Sequence, residues 1–154
     1  MPKLTQVKET KRGRYALFFD GEFAFSLDED TFAMAGLHTG DELEEWQIHD
    51  LQTKSDTRKA VDKAMDLLAL RDHAAGELYQ KLCRSFDPHS AAAAVAKMQE
   101  LNLLDDAGFA RRRAAELLRK RKSRRAILDD LHAKGIDRGA AAEAVEALFA
   151  QSEE

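Results

Sequence analysis

The chain has 154 residues, 44% hydrophobic and 34% charged, with 24 Lys and Arg against 28 Asp and Glu and a formal net charge of −4. That length fits one ordinary domain or two small ones, and the acidic balance excludes a protein that coats nucleic acid by bulk charge, leaving only a local patch for such binding. The single cysteine, Cys83, excludes an internal disulfide and suits a reducing compartment, no apolar run approaches the ~18 residues of a membrane span, and no signal-peptide core opens the chain, so a soluble cytoplasmic protein without a membrane partner is expected.

Residues 4–27 alternate as strands do. Arg14-Tyr15-Ala16-Leu17-Phe18-Phe19, then Asp20-Gly21, then Glu22-Phe23-Ala24-Phe25-Ser26-Leu27 is a β-hairpin signal, because Asp-Gly supplies the positive φ angles of a type I′ turn. Leu4 to Val7 makes a third strand. Residues 28–35 form a short helix capped by Asp28 or Asp30 and ended by Gly36, and a brief strand or helix follows around Trp46 and Ile48. So small a segment is expected to lean on a partner segment for stability. Residues 51–56, polar and without periodicity, are the expected linker.

Everything after it is expected to be helical. Residues 57–70 space Val61, Ala64, Met65 and Leu68 by three or four, residues 77–84 carry Leu78 and Leu82, and Asp87-Pro88 restarts the helix with a cap and a first-turn proline. Asp105 and Asp137 cap two later helices, and Gly135 ends the one between. Leu68, Leu78, Leu82, Phe86, Asp87, Val95 and Met98 line up with Leu117, Ile127, Leu131, Ile136, Asp137, Val145 and Leu148 once one residue is inserted near Gly135. The fold class is therefore mostly α: two tandem three-helix repeats behind a small N-terminal domain containing a β-hairpin. The expected boundaries are 1–53 for the α+β extension, 54–104 for repeat 1 and 105–154 for repeat 2. Stacked units of this kind bury one face against a neighbour and leave an outer binding surface.

The second repeat is strongly cationic. At 100° per residue, Ala110, Ala114, Leu117 and Leu118 share one face, and Arg111, Arg112, Arg119 and Lys122 fall on an adjoining arc of about 100°. Arg124 and Arg125 open the next helix, a position mildly unfavourable for cations that helix stability alone does not explain.

These residues resemble a known family, the RecX regulators of the RecA recombinase. Arg71-Asp72-His73 with Glu77-Leu78 and Lys81-Leu82 is similar to that family's first-repeat motif. Leu103-Leu104-Asp105-Asp106 with Phe109-Ala110 resembles its junction, and Lys134-Gly135-Ile136-Asp137 its second-repeat ending. Asp20-Gly21-Glu22 and Leu37-His38-Thr39-Gly40-Asp41 resemble the β extension of some members. The departures are two repeats where members commonly carry three, Ala74 where a capping-box Ser is usual, and Ala126 where the second box would have its Glu.

The resemblance implies a non-enzymatic regulator in recombination, DNA repair and the SOS response. Such a protein binds the RecA filament on single-stranded DNA, touches that DNA weakly or through the filament, and modulates recombinase and ATPase activity, in the inhibitory direction. The candidate RecA or DNA contacts are Arg71, His73, Arg111, Arg112, Arg119, Lys120, Lys122, Arg124, Arg125 and Lys134. The alternative is a stand-alone nucleic-acid-binding helical module using the Arg and Lys face of repeat 2. The sign of regulation depends on which filament state is bound better, and the role of the β segment and the oligomeric state stay open.

Each feature also has a plainer reading. The run 111–125 can be a solvated helix face, and Arg71-Asp72-His73 a turn in which Asp72 caps the next helix and Arg71 closes the last. His38, His49, His73, His89 and His132 are scattered, without ligand spacing, so no metal and no cofactor are expected. Cys83 belongs at the edge of the core. Asp105-Asp106 is a cap, and Asp129-Asp130 balances nearby arginines. Alternation sends only some of Phe18, Phe19, Phe23 and Phe25 outward, where bases could stack on them. No residue set for catalysis assembles from these motifs.

Overall fold

The computed structural model describes residues 1–152. Among these, three strands are followed by seven helices: β1 (Leu4–Glu9), β2 (Tyr15–Phe19), β3 (Glu22–Leu27), α1 (Glu29–Ala35), α2 (Glu45–Leu70), α3 (Ala75–Leu82), α4 (Pro88–Glu100), α5 (Asp106–Arg119), α6 (Arg124–Ala133) and α7 (Arg138–Ser152). The chain divides into two units, Met1–Lys59 and the remainder from Ala60.

In the first unit the strands form one antiparallel sheet in the order β1-β2-β3. Phe19 pairs with Glu22 across Asp20 and Gly21, whose φ angles of 51° and 83° are those of the two-residue turn the sequence calls for. The β2–β3 register shifts between Leu17, opposite Phe25, and Phe18, opposite Phe23. The shift sorts the aromatics. Phe19 and Phe25 join Leu4, Leu17 and Leu27 in the core, while Phe23 is 60% exposed and packs edge-to-face with Phe18. Asp28 caps α1 by accepting from the Thr31 amide at 3.1 Å, and Gly36 closes the helix at φ 61°.

The expected linker is not there. Residues 51–56 lie inside α2, and the helix start around Trp46 and the helix over 57–70 are parts of the same element. Ile48, Leu51 and Ser55 recur at helical spacing and turn one face toward the sheet; Leu51 is buried in the sheet's core. The buried Ser55 hydroxyl donates to the Ser26 carbonyl at 2.6 Å and accepts from Arg14 at 3.2 Å. With only one apolar residue in six, this stretch shows no period in the sequence, yet it supplies the segment on which the sheet leans. Met65, expected on the apolar stripe, is 44% exposed; Ala60 and Ala64 make the contact instead.

In the second unit Leu78 and Leu82 of the first repeat, and their counterparts Ile127 and Leu131 of the second, are all almost fully buried. The later pairs match less closely: Met98 is buried where its counterpart Leu148 is half-buried, and Val145 is buried where Val95 is half-buried. Asp87, Asp105, Ser123 and Asp137 cap α4, α5, α6 and α7, each accepting from the backbone amide three residues on. Helices α4, α5 and α6 end alike, on a residue in the left-handed region: Asn102, Arg121 and Gly135, with φ of 58°, 62° and 85°. The next amide then reaches back five residues, Leu103 to Met98, Lys122 to Leu117 and Ile136 to Leu131, at 2.9–3.0 Å.

The two repeats meet where α3 begins. Ala74 is fully buried in the second repeat's core with Ala110, Ile127 and Ile136. Gly76 lies so close to Gly135 that a Cβ on it would sit 2.8 Å from the Gly135 Cα. Ala74 offers no side-chain cap for α3, and Asp106 from the second repeat accepts from the Ala75 amide at 2.8 Å.

Candidate functional site

The joint between the repeats gathers charge because two helix ends converge there. Glu77, in the first turn of α3, has a side chain only 9% exposed and receives Arg71 at 2.7 Å and Lys134 at 3.3 Å. Burial alone would raise its pKa, but the hydrogen bonds from Arg71 and Lys134 overcome that and hold the carboxyl at about 2. His73 is 3% exposed, its Nδ1 2.9 Å from the Arg71 carbonyl and its Nε2 2.8 Å from the Lys81 ammonium. Burial and then the charges of Arg71 and Lys81 push its pKa down. The neutral ring therefore donates from Nδ1 and accepts from Lys81 at Nε2.

Three of the ten candidates, Arg71, His73 and Lys134, thus belong to this joint. Their first contacts are internal. Asp72 does not cap α3, as the turn reading expects; it faces Arg112 across 3.2 Å, and the cap comes from Asp106. Arg71 does close α2, as the turn reading expects, its amide donating to the Leu67 carbonyl at 3.3 Å, while its guanidinium holds Glu77 and also donates to the Asp72 carbonyl at 2.8 Å.

Three more candidates hold carboxylates on the surface: Arg112 with Asp72 at 3.2 Å, Lys120 with Glu116 at 3.4 Å and Arg125 with Asp129 at 3.4 Å. Exposed pairs of this kind contribute about 0–1 kcal/mol, so a phosphate can compete for these cations at little cost. Arg113 is different. It grips Asp130 through two nitrogens at 2.9 and 3.1 Å, which is the structural role expected for that acid. Arg124 lies 4.9 Å from the centre of the Phe149 ring, and this explains how a cation is tolerated in the first turn of α6.

Arg111, Arg119 and Lys122 remain, exposed and without a carboxylate partner among the described residues. Arg111 lines a shallow groove of about 260 Å³ between α5 and α7. Lys122 does not share the arc of Arg111 and Arg119 as the helical wheel expects, because α5 ends at Arg119. The same ending adds Arg121, exposed and unpaired among the described residues, which the wheel turns away from the arc. A basic residue at the left-handed closing position was the missed signal.

Cys83 sits at the edge of the first repeat's core. Among the described residues no group of three or more His, Cys, Asp or Glu could hold a metal ion, and no helix is long and apolar enough to cross a membrane.

Residues 105–145 match the family model described as RecX, second three-helix domain. A protein of Caldanaerobacter subterraneus named regulatory protein RecX is 27% identical over 96% of this chain and 76% of its own length. Proteins of the same name from Lactobacillus johnsonii and Bacillus subtilis are 34% and 28% identical over 88% and 89% of this chain. The chain spans about half the length of these two, 51% and 53%. A solved structure, the crystal structure of regulatory protein RecX, superposes with a TM-score of 0.67 over 96% of this chain and 74% of that one, at 24% identity, a likeness of fold.

Proposed function

The chain belongs to the RecX family of regulatory proteins, and on that premise we propose that it is a non-enzymatic regulator that binds the RecA filament on single-stranded DNA. Its bound form restrains recombinase and ATPase activity. The observation that carries this reading is the set of four cations Arg111, Arg119, Arg121 and Lys122, exposed and without a carboxylate partner among the described residues, within the family-matched segment of an otherwise acidic chain. Four cations with no carboxylate partner among the described residues suit a surface built for phosphates or for acidic protein. Arg112, Lys120 and Arg125 join them once their weak surface pairs open. Arg71, His73 and Lys134 act through the joint, holding the two repeats in register beneath that face.

Binding of this kind shifts filament growth by mass action and requires no chemistry from the chain. The test is RecA-catalysed strand exchange and DNA-dependent ATP hydrolysis with increasing amounts of the full chain. Both rates are expected to fall, and an Arg111→Ala, Arg119→Ala, Lys122→Ala variant is expected to lose most of the effect. Unchanged rates at every ratio would refute the proposal. Tight, salt-sensitive DNA binding that needs no recombinase would favour the stand-alone nucleic-acid module instead.

A further inference from the structure

The chain's charge is not spread evenly. The first unit holds 12 Asp and Glu against 8 Lys and Arg, which is the whole of the net charge of −4. Within it, residues 28–56 carry nine acids and one base, Lys54. Residues 107–128 are the opposite case, with nine bases and one acid, Glu116.

The acidic segment also contains a groove. It is about 470 Å³ in volume, floored by Leu43 and Leu51 and edged by Asp41, Glu42 and Trp46. Trp46 is the chain's one tryptophan and is 66% exposed. Its indole nitrogen donates to Glu44 at 2.9 Å at the edge of the groove. Lys54, the base on the groove, is already paired with Asp50 at 3.1 Å. Glu42 has no cationic partner among the described residues. An exposed indole face beside the unpaired Glu42 is an arrangement that receives a guanidinium: the ring quadrupole attracts the cation and the carboxylate takes its hydrogen bonds.

A matching cation surface lies on the same chain. The corner at residues 121–125 presents Arg121, Lys122, Arg124 and Arg125 around Ser123, and Arg121 and Lys122 lack carboxylate partners among the described residues. Arg121 holds a left-handed φ of 62°, where glycine would cost less, so the position keeps a cation at the expense of backbone strain. We propose that the Trp46 groove of one copy receives the 121–125 corner of a second copy. Groove and corner are different surfaces, so the association is head-to-tail. It needs neither DNA nor recombinase, and because it engages Arg121 and Lys122 of the face proposed above for the filament, the two associations compete for those cations.

Trp46 reports on this contact directly. In the purified full chain at low salt, about 0.05 M, where charges act beyond ~10 Å, the sedimenting mass is expected to rise with concentration. The Trp46 emission shifts with it, and both effects vanish as salt is raised. Trp46→Ala and Arg121→Gly each weaken the association about tenfold or more, although Arg121→Gly relaxes the backbone and leaves the fold at least as stable. Mixing Glu42→Arg with Lys122→Glu restores association that neither variant shows alone. A single-chain mass at every concentration overturns the proposal, and so does association that Trp46→Ala and Arg121→Gly leave unchanged.

Discussion

Protonating Glu77 removes the one charge that Arg71 and Lys134 share, so the joint between the repeats is acid-sensitive. Its folded pKa of about 2 lies below the ordinary value of 4.5. The stabilisation is therefore whole above pH 4.5 and is lost as pH falls toward 2, and it amounts to about 3 kcal/mol. His73, whose folded pKa is lowered from 6.5, adds a milder loss in the same direction beginning below that pH, because the buried ring resists taking a proton. Urea midpoints measured from pH 7 to 2 are expected to fall more steeply for the native chain than for Glu77→Gln. The variant starts about 2–3 kcal/mol less stable and is nearly flat between pH 4.5 and 2 apart from the remaining carboxylates. Parallel curves would remove Glu77 from its role. Arg121 makes the opposite case. Its left-handed φ of 62° means that Arg121→Gly should raise stability by about 1 kcal/mol in thermal or urea unfolding.

At the scale of elements, glycine marks the place where helices touch. Gly135 sits at φ 85°, and a Cβ there would lie 2.6 Å from the Gly76 Cα, so both the backbone angle and the contact require it. Gly135→Ala is expected to cost more than about 2 kcal/mol in unfolding free energy. Gly76→Ala meets the same backbone from the other side and should cost a similar amount, although its own angle is permissive. The caps were legible in the sequence because Asp, Ser and Pro at helix starts act locally. So were the hairpin and the repeat, which rest on a two-residue turn and on apolar spacing. Helix α2 was not. Its middle faces a sheet with Leu51 and Ser55, and a buried serine satisfied by Ser26 and Arg14 leaves no apolar period to find. The cap of α3 was hidden for a related reason: its acceptor, Asp106, is 31 positions away in the chain from the amide it serves.

For the second unit as a whole, ten cationic or imidazole candidates resolve into a joint, a set of weak surface pairs, Arg124 against the Phe149 ring, and three cations without a carboxylate partner among the described residues. The sequence shows which residues carry charge, but the distance between a cation and its nearest carboxylate belongs to the fold. Arg111, Arg119 and Lys122 differ from Arg71 and Lys134 in that distance, the latter two holding the buried Glu77. Changing Arg111, Arg119 and Lys122 is therefore expected to leave stability within about 0.5 kcal/mol of the native chain, as surface substitutions do, and to act on binding alone. The most direct measurement is the binding of the chain to preassembled RecA filaments on single-stranded DNA, native against the Arg111→Ala, Arg119→Ala, Lys122→Ala variant. Saturable binding that the variant loses while melting at the native temperature is the expected result. Equal binding by the two chains, or none by either, would contradict it.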